Sequence, residues 1–371
     1  MIRELRLNSI MNNVIDKVSS DKRLSFEEGV DLIKSFDLIG LGTAADRLCQ
    51  KLHPEQYRTY IIDRNINYTN VCISGCKFCA FYREKDDRDS YVLSKDELFE
   101  KIEETISLEG TQILMQGGLH PDLKLDYYVD LLKSIKERFT IHIHSFSPPE
   151  IIYFSKLNNL PIKEVLILLK DAGLDTIPGG GAEILTDRCR GLLSPHKCSV
   201  SEWLQVMKEA HGLGIRSTAT MMFGHIESLE ERITHLEKIR QLQDETGGFT
   251  AFIPWTFQPK NTALLLSTEK RVSFEIGGFD YLRTLAVSRL YLDNIPNIQA
   301  SWVTQGPKIA QLALRFGAND MGSTMIEENV VKAAGVNYRM KKEEIISLIE
   351  GLGLEAMQRD CYYNIINPLL A

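Results

Sequence analysis

The feature that most constrains this chain is Cys72-Ile-Ser-Gly-Cys76-Lys-Phe-Cys79, three thiols within eight residues in the pattern C-x3-C-x2-C. Four cysteines would close the shell of a metal centre. Three leave one iron of a four-iron cluster without a protein ligand, open to a small chelating molecule. A zinc knuckle would need a fourth ligand close by, and neither His nor Cys follows Cys79 until His120. A disulfide with one spare thiol suits a secreted chain, and the opening Met1-Ile-Arg-Glu-Leu-Arg lacks the apolar core of a signal peptide. Gly75 lets the backbone turn tightly around a cluster. The ring of Phe78 can lie flat against an adenine. Cys49, Cys189, Cys198 and Cys361 are scattered and read as inert thiols, so one cluster per chain is expected.

The rest of the sequence alternates strands and helices around that loop. Residues 1–58 read as helices, with Ser25-Phe-Glu-Glu28 as a capping box. Tyr60–Val71 is expected as one strand running into the cysteines. Its alternation puts Asp63, Asn65, Asn67 and Thr69 on one face, which suits the wall of a polar cavity. Ser94 to Glu97 caps the next helix, and the strand Gln112–Gln116 ends in Gly117-Gly118. In Ile141–Phe146 the isoleucines face outward and send His142 and His144 into the lumen. Two imidazoles there suit substrate binding or proton transfer better than metal ligation, since no carboxylate stands beside them. Thr176–Glu183 holds three glycines without the Lys-Ser/Thr of a phosphate loop. It reads as backbone approaching a nucleoside, with Glu183 accepting hydrogen bonds from ribose hydroxyls. Arg216, on the inward face of the strand 215–223, can hold a substrate carboxylate.

With Thr250–Gln258 the count reaches six strands alternating with helices, the pattern of a parallel sheet curled into a partial (β/α)6 barrel. Chemistry then belongs at the C-terminal ends of the strands. A helix near 274–291, a strand near 298–303 and a polar loop over 317–324 follow, the last offering Asn319 or Asp320 to the substrate. The expected division is a helical N-terminal extension (1–58), an α/β core barrel (59–260) and a C-terminal α/β extension closing it (261–371). A net charge of −7 argues against a nucleic-acid partner, and no apolar run approaches the length that crosses a bilayer. A cytoplasmic location is expected.

Together these blocks resemble the radical S-adenosylmethionine (SAM) superfamily. Within it they resemble the futalosine-pathway enzymes of menaquinone biosynthesis, especially the cyclic dehypoxanthine futalosine synthases. The likeness rests on Asp63–Asn70 and Ala80–Arg83 around the cysteines, and on Gly117–Asp122, Ile177–Glu183, Thr250–Pro259 and Gly317–Thr324. It implies one [4Fe–4S] cluster on Cys72, Cys76 and Cys79, with SAM on the remaining iron. It implies that the Gly117-Gly118 end of the second strand receives the SAM amino group and that the strand ending at Glu183 binds cofactor. Arg188 or Arg190 can pair with the methionyl carboxylate, and either alone reads equally well as a surface ion pair. The implied substrate is dehypoxanthine futalosine. The implied reaction is abstraction of its ribose C4′ hydrogen, addition to the aromatic ring, and loss of an electron and a proton, with His142, His144 or a lumen carboxylate as candidate bases for the proton. A reducing donor such as flavodoxin or ferredoxin is implied too. Aminofutalosine synthase is one alternative, and the blocks 63–68 and 252–255 look more like the cyclase. A non-catalytic electron carrier is the other, and it would give every iron a protein ligand. The base, the carboxylate clamp, the final electron acceptor and the oligomeric state stay open.

Overall fold

The structure is a computed structural model that describes residues 17, 20, 22–267 and 276–366. Its described strands, in chain order, are β1 (Tyr57–Ile61), β2 (Asp63–Ile66), β3 (Gln112–Met115), β4 (His142–Ser145), β5 (Thr176–Ile177), β6 (Arg216–Phe223), β7 (Phe249–Thr256), β8 (Asn297–Ile298), β9 (Asp320–Ser323) and β10 (Glu355–Gln358). Strands β2 to β8 form a curled seven-stranded sheet in sequence order, every pair parallel. A second parallel sheet has the order β10-β1-β9.

Helices between consecutive strands cover the outer face, which is why the connections are long enough to return each strand parallel to the last. Their starts are written in the sequence: Ser94 with Glu97, Ser199 with Glu202 and Ser228 with Glu231 all close capping boxes. Their inward stripes are regular. The helix Val200–Gly212 buries Trp203, Val206, Met207 and Ala210, the 3.6-residue period of a helix lying on a sheet. The helix Leu229–Thr246 ends where Gly247 takes a left-handed φ of +61°.

Three expectations need correcting. Tyr60–Val71 is not one strand. The chain leaves the small sheet after Ile61 and joins the large one at Asp63, with Thr324 donating to the Ile61 carbonyl (3.0 Å) and Thr111 to that of Ile62 (3.2 Å). The alternation continues through the switch, so the pattern hides the change of partners. The stretch 317–324 contains β9, because Asp320 and Ser323 pair with Thr59 and Ile61. The strand near 298–303 shrinks to β8, and Trp302–Gln305 turns into a short helix.

At the N-terminus the helices Phe26–Ile33 and Leu38–Leu52 form as read, capped by Ser25 and Asp37, while residues 1–16 lie outside the described residues. The first packs on the helix Gly278–Tyr291: a Cβ at Gly29 would come within 2.6 Å of the Tyr291 ring. The helix expected near 274 begins at Gly278, residues 274 and 275 lying outside the described set. At the other end, the segment after β10 passes beneath the large sheet. Tyr362 sets its ring edge-on to His142 (5.3 Å), and Cys361 Sγ lies 3.4 Å from Thr176 Oγ1. Among the described residues no helix is long and apolar enough to cross a membrane.

Candidate active site

The cysteine loop follows β2 and is pinned by backbone. Cys72 N–H donates to Arg83 O (3.0 Å), Ile73 N–H to Leu119 O (3.1 Å) and Lys77 N–H to Leu193 O (2.9 Å), while Leu264 N–H donates to Lys77 O (2.7 Å). Segments from four parts of the chain therefore fix the loop. Gly75 turns it with φ +56°. The pair Gly117-Gly118 has a packing reason for its small size. A Cβ on Gly118 would stand 2.1 Å from the Val71 carbonyl and 2.8 Å from Cys72 Cβ, and one on Gly117 would strike the Tyr68 ring at 2.4 Å.

All three loop cysteines are unbridged. Burial raises the Cys72 thiol, and burial followed by the Cys76 charge raises Cys79 to about 11. Thiols that resist ionisation in the free protein and sit within each other's field are a donor set that a metal centre deprotonates on binding. Among the described residues no three His, Cys, Asp or Glu side chains converge tightly enough for a single ion. A four-iron cluster asks for a different arrangement, three thiolates at separate corners. The donor set fits that group.

Beside the loop stands an ionic group that motif reading found only in part. Glu183, with φ +43°, accepts from Arg190 Nη1 (3.1 Å) and from Lys197 Nζ (2.9 Å); Glu183 and Arg190 are buried and Lys197 is half-buried. Burial alone would raise the Glu183 carboxyl, but Lys197 and Arg190 reverse this and lower it. Burial pulls the Lys197 ammonium down, and Glu183 and Cys76 outweigh burial and raise it. Lys197 also sits over the Phe78 ring, 5.3 Å from its centroid. Phe78, Glu183, Arg190 and the cysteines are thus one neighbourhood joined through Lys197, which no motif marked. Arg188 is elsewhere. Its side chain is 52% exposed and paired with Glu231. It lies two residues from Arg190 on the helix Asp187–Leu193, on the other side.

Within the barrel is a cavity of about 270 Å³ walled by Asp63, Asn65, Gln112, Gln116 and His144, by Trp255 and Trp302, and by Arg359. Phe78 and Trp255 pack on one small apolar cluster that includes Met222 and Phe257, which connects the cysteine loop to this wall. His144 Nδ1 shares the Thr176 hydroxyl (2.7 Å) with His142 Nε2 (2.7 Å). Burial pushes His144 down to about 3, so its ring is neutral at pH 7. Asp63 accepts from Gln112 Nε2 (2.5 Å) and from the Ser323 hydroxyl, and burial raises its carboxyl.

Three expected lumen residues are not in this wall. His142 points to Tyr362 beneath the sheet. Arg216, at the first position of β6, is exposed and donates to Gly247 O (2.5 Å). Inward-facing Thr218 and Thr220 line the cavity in its stead. Asp320 is fully buried behind the wall, its carboxylate spent on Arg359 Nε (2.6 Å) and Nη2 (2.9 Å), Thr59 Oγ1 (2.6 Å) and Gly322 N–H (2.9 Å). Its partner Arg359 faces the cavity, the only cationic side chain to do so among the described residues.

A parallel half-barrel with a three-cysteine loop past its first strand defines a radical SAM enzyme. Residues 66–239 match the radical SAM superfamily, and residues 246–369 match the CofH/MqnC C-terminal region. The fold is shared with methylornithine synthase (PylB; TM-score 0.71, 18% identity, 92% of this chain and 97% of that one). The chain is 47% identical to a cyclic dehypoxanthine futalosine synthase of Halalkalibacterium halodurans over 96% of its length and 95% of the relative's. It is 43% identical to one of Streptomyces coelicolor (94% and 87%), and 40% identical to the aminodeoxyfutalosine synthase of Thermus thermophilus (94% and 94%). The chain belongs to the radical SAM superfamily and, within it, to the family of the cyclic dehypoxanthine futalosine synthases. Its cofactors are those of the superfamily, a [4Fe–4S] cluster and SAM.

Proposed function

We propose that this chain converts dehypoxanthine futalosine to its cyclic form, with Cys72, Cys76 and Cys79 holding the cluster. Phe78, Glu183, Arg190 and Lys197 would hold SAM beside it. The observation that carries the substrate reading is Arg359 in the cavity wall. A guanidinium has five N–H donors. Asp320 takes two and the Asp360 carbonyl one (3.0 Å), which leaves one on each Nη. Held flat on the Tyr363 ring (3.9 Å), that cation suits a carboxylated aromatic ring better than a neutral ligand.

When bound, the cluster and SAM supply a 5′-deoxyadenosyl radical, the species that takes the C4′ hydrogen of the substrate's sugar. The carbon radical left on the sugar adds to the carboxylated ring, and loss of one proton to a base and of one electron to an external one-electron acceptor restores aromaticity. Arg359 anchors the ring, so addition happens at the carbon nearest C4′. His144 receives the proton at Nε2, its Nδ1 being engaged by Thr176. A pKa near 3 is no obstacle, because the oxidised ring adduct is a strong acid. Trp255 and Trp302 keep water from the radical. The reducing electron comes from an external donor of the flavodoxin or ferredoxin kind.

The test is anaerobic reconstitution, then incubation with dehypoxanthine futalosine or with an enolpyruvyl benzoate. The expected product is the first substrate minus two hydrogens, with 5′-deoxyadenosine formed alongside. Turnover of the second compound alone would overturn the assignment.

A further inference from the structure

The cavity contains a buried amide that the protein leaves wholly unused. Asn65 is 7% exposed and lines the wall, yet its side chain makes no hydrogen bond with any described residue. Gln112, on the neighbouring strand and 5% exposed, is half-used. Its Nε2 donates to Asp63, which Ser323 holds in turn, and its Oε1 has no partner. Asp63 stands opposite Gln112 in the β2–β3 register and Asn65 opposite Leu114, so both amides rise from the same inward face as diagonal neighbours. Buried polar groups are nearly always paired, and an exception in a cavity wall points to a ligand.

We propose that Asn65 and Gln112 bracket the sugar of the substrate and take its ring hydroxyls. An amide idle as both donor and acceptor is matched by a hydroxyl, which is both. A carboxylate would leave the amide oxygens of Asn65 and Gln112 unpaired, and the cavity already has a cation for that group in Arg359. The wall thus divides the substrate, with the charged ring on Arg359 beneath the sheet and the sugar above it at Gln112 and Asn65, on the way to the cysteine loop. The sugar could instead be that of SAM. The assignment to the substrate follows from position: Gln112 donates to Asp63, which lies in the field of Arg359, whereas Glu183 and Lys197, the residues that would hold SAM, lie beside the cysteine loop. This inference rests on the substrate reading above.

The test uses reconstituted holoenzyme, wild type and Asn65→Leu, titrated with dehypoxanthine futalosine, with an analogue lacking the 2′- and 3′-hydroxyls, and separately with SAM. Wild type should bind the analogue roughly tenfold to a hundredfold more weakly than the substrate, the loss expected for one or two neutral hydrogen bonds. Asn65→Leu should bind the substrate more weakly and lose most of that discrimination. Its SAM affinity and iron content should stay at the wild-type level, and its Tm should be equal or higher, since an unpaired buried amide has been replaced by apolar volume. Undiminished substrate binding by the variant overturns the inference, as does a fall confined to SAM. A lowered Tm with intact discrimination would make Asn65 structural and overturn it too. If wild type binds no dehypoxanthine futalosine, the substrate reading itself fails, which is a separate outcome.

Discussion

Arg359 and Asp320 show what a single residue's neighbours decide. Asp320 is completely enclosed and ties down a cation that faces the cavity, so its carboxylate acts through Arg359 and does not reach the cavity itself. Asp320→Asn leaves that cation poorly paired and should lower stability by roughly 3–5 kcal/mol, the usual loss when one partner of a buried ion pair is removed. A thermal melt of the variant reads this. Arg359→Lys keeps the charge but loses the planar fork, so substrate KM should rise about tenfold or more with a smaller change in Tm. An unchanged KM would remove Arg359 from the substrate site. The cysteine loop was legible as a candidate site because the spacing of its thiols, with Gly75 and Phe78 between them, is a local pattern. Arg359 was not, since its meaning comes from strands hundreds of residues earlier. Arg188 and Arg190 could not be separated by composition. Helix phase, roughly 100° per residue, separates them, turning Arg190 onto Glu183 and Arg188 toward Glu231.

Among elements, the approach of the β3 end to the cysteine loop is the tightest constraint. Gly118→Ala drives a methyl into the Val71 carbonyl, which is backbone and cannot swing aside. The loop must move, so reconstituted iron per chain should fall steeply while the far-UV circular dichroism of the barrel stays. Gly75→Ala is the contrast. No atom of the described residues lies within 4 Å of the added carbon, and the penalty is the left-handed φ alone, about 1–2 kcal/mol. Equal iron loading in both variants would contradict this account. The helices and most barrel strands were readable because capping boxes and the period of buried residues are local signals. The break between β1 and β2 was not. A strand's alternation records which face is wet, and carries no mark of which neighbour it hydrogen-bonds.

For the molecule as a whole, acid should act first through buried imidazoles. Burial is the leading cause in each case: it holds His144 and His235 at about 3 and His211 at about 4, against roughly 6.5 in an unfolded chain. Between those values the unfolded state binds more protons. Stability is therefore full above about pH 6.5 and is lost as pH falls, by up to ~1.4 kcal/mol per unit for each histidine. Glu227 and Glu231, both held near 2, contribute stability that is lost only below about 4.5. Urea midpoints at pH 7 and 5.5 should differ clearly, the lower pH being weaker. The carboxyls of Asp63 and Glu150, raised by burial, act with the opposite sign, so the deciding measurement is an NMR titration of the rings, and imidazoles charged in the fold at pH 5.5 would overturn this account.

β1 lies shortly ahead of the three-cysteine loop, and both its partners, β9 and β10, come from the far end of the chain. A ribosome delivers β1 early and its companions last. β1 therefore waits, unpaired along both edges, until translation is nearly done, whereas β2 and the cysteine loop after it have their partners once residue 264 is made. The small sheet is therefore the last part to close, and in a nascent chain stalled before residue 320 the β1 segment should be cut by a protease that leaves it intact in the finished polypeptide.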